Sequence, residues 1–156
     1  MSVKPISVAR RVADRYSRLL QVEAVVLSIT NSNNREFETS SDIELWIFTT
    51  ADLPLHERRM IADNFARYPE IDNRYWQTGD EWIDSQSGIH VRVAFRSTIW
   101  IEEELDRTLL RREALLGYST CEWHNVLHSE ILYDRQGWYK QLQNGVRQPY
   151  PEPLSQ

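Results

Sequence analysis

Between residues 22 and 29 the chain reads Val-Glu-Ala-Val-Val-Leu-Ser-Ile, and between 42 and 48 it reads Asp-Ile-Glu-Leu-Trp-Ile-Phe. Both runs are short and apolar, which predicts two strands joined by the polar loop 30–41. Ahead of them Ala9, Val12, Ala13, Tyr16, Leu19 and Leu20 recur at helical spacing and predict an opening helix over 6–21. Residues 49–54 read as a turn, with Asp52 as a cap and Pro54 at the first position of a helix over 55–67 that buries Ile61 and Phe65. Residues 70–87 read as short strands and turns around Trp76 and Trp82, with Gly79-Asp80 as a tight turn. In the strand expected over 88–96, alternation puts Ile89, Val91, Val93 and Phe95 on the core face and His90 and Arg92 on the other. Ser97 or Thr98 caps the next helix, which carries Ile101, Leu105 and Leu109 on one face and Glu102, Glu103 and Glu104 in its first turns. A helix over 119–128, a strand over 131–133 and a helix from Trp138 complete the pattern. Strands alternating with helices on a small mixed sheet give an α/β (α+β) fold class.

The second strand carries the most chemistry. Its side-chain period of 2 sends Asp42 and Glu44 to one side and Ile43 and Leu45 to the other. Two anions about 7 Å apart on one sheet face repel unless something positive sits over them. A hard divalent cation with oxygen ligands, Mg2+ or Mn2+, meets that need. Two hydrated acids on a solvent-facing edge strand are the plainer alternative.

The order of these segments resembles the polymerase-beta-like nucleotidyltransferases. There a strand ends in Gly-Ser, a loop of some ten residues follows, and a Ser-Asp-h-[Asp/Glu]-h strand carries two metal ligands. Ser41-Asp42-Ile43-Glu44-Leu45 matches the second half of that signature. The helix at 55–65 and the 127–138 segment, with its Tyr-Asp and following Gly, resemble later parts of the same domain, so the likeness covers roughly 10–145. The resemblance implies a small mixed sheet with flanking helices and a site in which Asp42 and Glu44 hold Mg2+ or Mn2+. It also implies ATP as the nucleotide, with Thr30, Asn31, Ser32 and Ser41 as its contacts, and transfer of AMP to a hydroxyl of a small molecule or protein.

Two positions depart from the family. The Gly-Ser is missing: no glycine precedes Gly79, so the turn falls to Ile29-Thr30 or Thr30-Asn31, without the close backbone approach that glycine allows. The family's third carboxylate, on a later strand, ligates metal and helps deprotonate the attacking hydroxyl. By spacing Arg92 takes its place. A guanidinium there would satisfy Asp42 and Glu44 and compete with a cation, as expected of a degenerate site that works as a binding module. Asp80, Glu81 and Asp84 are the acids left to substitute for the missing one.

Composition narrows the partners. At 156 residues the chain is expected to form one domain over 1–147, followed by a proline-rich extended tail over 148–156. A net charge of −5 argues against broad nucleic-acid binding, which needs a basic surface. The lone Cys121 allows no internal disulfide, and no apolar run is long enough to span a bilayer, so a cytoplasmic protein is expected. With no helical domain after the tail, an acceptor would be held by a second subunit or another protein; the partners expected are thus a nucleotide, an unknown acceptor and a protein partner or second copy. An antitoxin-type enzyme that modifies a toxin also fits that resemblance. His124 and His128, at i and i+4, have spacing that can bind a metal, but more often mark a partly buried or capping histidine. Trp46 shares the Asp42 side, where it either stacks on a base or packs in a core.

Overall fold

The structure is a computed structural model that describes residues 4–28, 42–72, 78–110 and 125–147. The elements are α1 (Pro5–Tyr16), β1 (Val22–Leu27), β2 (Asp42–Thr49), α2 (Leu55–Asp63), β3 (Glu70–Ile71), β4 (Gly79–Ile83), β5 (His90–Ser97), α3 (Thr98–Leu110), β6 (Glu130–Asp134) and α4 (Trp138–Arg147). A helical turn at 125–128 precedes β6. The six strands form one sheet in the order β3-β4-β5-β2-β1-β6. Only β2 and β5 run parallel; the other neighbours are antiparallel.

Two cores sandwich the sheet. Ile43, Leu45 and Ile47 of β2 and Val91 and Val93 of β5 pack beneath α1 and α2, with Val8, Val12, Tyr16 and Ile61. Trp46, Phe48 and Ala94 turn the other way and meet Ile101, Leu105 and Tyr139 from α3 and α4. A register shift between Val22 and Ala24 explains why Val22 and Val25, an odd distance apart, both join the first core.

Among the described residues the predicted elements hold with four differences; residues 119–124 of the helix predicted over 119–128 lie outside them. The opening helix ends at Tyr16 rather than 21 because Arg135 reaches across to it: its guanidinium donates to the carbonyls of Leu19 at 2.8 Å and Val22 at 2.8 Å, fixing a turn and leaving Leu20 exposed. The second helix stops at Asp63, and Phe65 is buried from the turn that follows. Pro54 is the N-cap of that helix, with no side-chain cap, so Asp52 does not serve as one. Gly79-Asp80 is not a turn but the start of β4, where Gly79 pairs with Ala94 and Asp80 with Val93. The turn comes at 85–87, where Asp84 accepts from the Ser87 amide at 3.0 Å and hydroxyl at 2.8 Å, and Gly88 adopts φ +78°. Ser97 caps α3, accepting from the amides of Ile99 and Trp100. Asp134 caps α4, accepting from the amides of Tyr139 at 3.0 Å and Lys140 at 2.8 Å. The Leu109 side chain, Trp76, Cys121, His124 and the tail 148–156 lie outside the described residues.

Candidate functional site

The β2–β5 register decides the site. Asp42 stands opposite His90, and Glu44 opposite Arg92. On the far side of β5, Glu81 of β4 stands opposite Arg92 and Ile83 opposite His90. Residues paired across a ladder share a face, so Asp42, Glu44, His90, Arg92 and Glu81 all rise from one side of the sheet. Further along that side Trp46, Phe48 and Ala94 pack against α3 and α4. The polar group occupies the stretch of the sheet beyond this second core, where the Asp42 side chain is 46% exposed and that of His90 28%.

His90 makes two ion-pair contacts on this face. Its Nε2 lies 2.7 Å from Glu81 Oε1 and its Nδ1 3.8 Å from Asp42 Oδ1, so one imidazole links the carboxylates of β4 and β2. Arg92 sits beside Glu44 by register, yet among the described residues it makes no ion pair with either acid. The expected Arg92 pairing is therefore replaced by a His90 pairing. An imidazole at the Asp42 level explains this, because it reaches both neighbouring strands from between them. The sequence reading set His90 on the right face but gave it no role; aligning the first residues of β2 and β5 would have exposed it.

Of the three acids open as substitutes, only Glu81 reaches this face. Asp80 points to the opposite side and is fully buried. It accepts from Arg58 Nε at 3.0 Å and Nη2 at 2.5 Å, and from the Asp72 amide at 2.7 Å. Asp84 also lies buried, 3.6 Å from Arg11 of α1. Burial alone would lower the Arg58 pKa, but the hydrogen bond and charge of Asp80 outweigh it and raise the value. Tyr16, in the same core, has its pKa raised, first by burial and then by the Asp80 charge.

Trp46 does not face a base. It is 4% exposed, with the Arg96 guanidinium 4.4 Å above its ring. Trp82 is likewise core, stacked on Phe65 at 5.9 Å. Of the described tryptophans only Trp100, at 38%, counts as exposed.

Thr30, Asn31, Ser32 and Ser41, the expected nucleotide contacts, lie outside the described residues. For Mg2+ or Mn2+ the described donors are two adjacent carboxylates, Asp42 and Glu44, flanked by His90 and Arg92. Among the described residues no three His, Cys, Asp or Glu side chains gather into a metal-holding group. The third acid, Glu81, stands one strand further away and is bonded to His90. The described donor set does not fit the three-carboxylate centre that the resemblance implies.

No family model and no curated protein matches this sequence. Among solved structures, a nucleotidyltransferase-like protein from Exiguobacterium sibiricum 255-15 matches at a TM-score of 0.53 and 12% identity. The match covers 94% of this chain and 40% of that one, so the chain spans less than half the length of that protein. No described helix is long and apolar enough to cross a membrane. At that identity the likeness speaks for the fold: this chain has a nucleotidyltransferase-like fold, a six-stranded mixed sheet flanked by helices.

Proposed function

We propose that this chain is a nucleotidyltransferase-fold protein that has given up transfer chemistry and works by binding. The observation that carries this reading is the β2–β5 register, with His90 level with Asp42 and Arg92 level with Glu44. In a transferase of this fold the strand beside the two acids must bring a third anion, to complete the metal site and accept a proton. Here it brings an imidazole and a guanidinium. Both put hydrogen-bond donors beside the two acids where a metal centre would need a further anionic ligand.

The test is calorimetric titration of the purified chain with ATP, with and without Mn2+. The reading expects no metal-dependent binding by the wild type, and new Mn2+ binding in Arg92→Asp, where a carboxylate on the adjacent strand joins Asp42 and Glu44. Metal-dependent ATP binding by the wild type that Asp42→Ala abolishes would overturn it.

That result would instead support a second reading, AMP transfer from ATP to a hydroxyl of a small molecule or protein. One observation favours it: Asp42 and Glu44 share an open face that also holds a third acid, Glu81. The acceptor would then come from a partner protein or a second copy of the chain.

A further inference from the structure

At the other end of the same two strands lies a cavity of about 280 Å3, lined by Thr49, Asp52, Leu53, Arg58, Asp72 and Phe95 among others. Thr49 closes β2, whereas Asp42 opens it. Seven residue steps along an extended strand put the two some 23 Å apart, roughly 3.3 Å per step. The cavity is therefore separate from the Asp42–His90 face.

Its wall contains a buried cation with unused hydrogen-bonding capacity. Arg58 is 4% exposed and its guanidinium lies 4.6 Å over the Phe95 ring. Nε and Nη2 are committed to Asp80, with Asp72 Oδ1 a further 3.5 Å from Nη2. Nη1 carries two N–H groups that meet no acceptor among the described residues, and it is not one of the polar atoms sealed from solvent. A guanidinium presents five N–H donors in a fixed plane, so this free edge is a preformed seat for a carboxylate.

Opposite charge stands at the rim. Asp52 is exposed, and the Asp72 side chain is 53% exposed. Asp72 is the one described non-glycine residue with positive φ, +62°, a conformation its amide bond to Asp80 holds in place. Such backbone persists where the surroundings over-determine it. Leu53, 8% exposed, and the Phe95 ring add apolar wall.

We infer that this cavity binds a free α-amino acid with an apolar side chain. The carboxylate bonds Arg58 Nη1, the ammonium lies between Asp52 and Asp72, and the side chain rests against Leu53 and Phe95. Asp72 already pairs with Arg58 at 3.5 Å, so an anion alone would leave the exposed Asp52 carboxylate unmet, and a cation alone would leave the Arg58 Nη1 edge empty. Only a ligand with both charges, anion inward, satisfies both ends.

The probes are L-leucine, L-methionine and L-phenylalanine, titrated into the full chain by calorimetry. Two isosteres of leucine that each lack one charge, 4-methylpentanoate and 3-methylbutylamine, serve as comparators. At least one amino acid should bind, and both comparators should bind about tenfold more weakly than leucine, or worse, since each leaves one charge-assisted bond unmade. Asp52→Asn and Asp72→Asn should each weaken amino-acid binding by about tenfold while the circular dichroism is unchanged. Asparagine tolerates the positive φ of position 72; should that variant still fail to fold, the exposed Asp52→Asn decides alone. No binding of any of the three amino acids at about 10 mM, equal binding of a comparator, or unchanged affinity in the aspartate variants would overturn the assignment. None of these outcomes depends on ATP or metal, so this proposal and the reading of the Asp42 face stand or fall separately.

Discussion

Replacing Asp80 with asparagine keeps the size of the side chain and removes its charge, and the structure sets the cost. The carboxylate is fully buried, and the Arg58 side chain it faces is 5% exposed. It accepts two hydrogen bonds from that guanidinium and one from the Asp72 amide. In Asp80→Asn one oxygen still accepts, but the new amide N–H group points at a guanidinium that can only donate. Arg58 is then a buried cation whose remaining anion, Asp72, is half exposed at 3.5 Å. Breaking a buried pair from one side costs about 3–5 kcal/mol, and the surviving bonds place this case near the lower end, about 3 kcal/mol. A domain of this length loses about 2–4 °C per kcal/mol, so the melting temperature should fall by about 6–12 °C. Urea denaturation followed by tryptophan fluorescence measures the same loss as a shift in midpoint at unchanged slope. Adding Arg58→Met to Asp80→Asn should recover part of it, because the unpaired charge is then gone. A loss below about 1 kcal/mol in the single variant would refute the reasoning, since a surface pair costs that much.

Tyr16→Phe should be neutral or mildly stabilising near pH 7, because the buried hydroxyl has no hydrogen-bond partner among the described residues. In alkali the sign is fixed by the raised pKa: the unfolded chain releases this proton near pH 10 while the folded one retains it, so stability is full below that pH and falls above it. Urea midpoints from about pH 8 to pH 11 should therefore decline less steeply in Tyr16→Phe than in the wild type; parallel curves would sink the idea. Arg135→Ala removes the donor that holds the Leu19 and Val22 carbonyls and should cost about 2 kcal/mol by the same denaturation assay. If the midpoint does not move, the turn after α1 is held by its backbone bonds alone.

Strand identity and strand faces were legible because the side-chain period of 2 is written directly in the sequence. Ile43, Leu45, Val91 and Val93 fall on the core side as alternation predicts, and Asp42, Glu44, His90 and Arg92 on the other. What alternation cannot state is which residue of one strand stands level with which residue of another. That is why Arg92 was readable as a neighbour of the acids while the His90 link to Asp42 and Glu81 was not. Long-range side-chain bonds to the backbone were equally hidden. The true end of α1 depends on Arg135, more than a hundred positions along the chain, and no local propensity records that. Gly79-Asp80 misled for a related reason. The pair has turn chemistry, but Asp80 is the partner of an arginine on another element, and the bond to Arg58 outweighs the local preference.

Asp80 and Glu81 are chemically similar neighbours with opposite fates, and the contrast says what positions the open face. Asp80 goes under α2 to meet Arg58, and Glu81 goes to the other side to meet His90. A slip of one residue in β4 would exchange them. Glu81 would then enter the core with a side chain one methylene longer, and Ile83, now 55% exposed, would take up a new face. Such a slip would also turn Trp82 out of the core, and it would take Asp80 from three donors, two of them on a cation that cannot follow it to the other face. The buried pair therefore acts as the register lock of β4. The distance between His90 and Glu81 is a consequence of it, so the polar cluster beside Asp42 is set from the opposite side of the sheet. Asp80→Asn should accordingly loosen the His90–Glu81 contact as well as the fold, which the chemical shift of the His90 imidazole would report, while a variant that loses stability elsewhere, such as Arg135→Ala, should leave that signal in place.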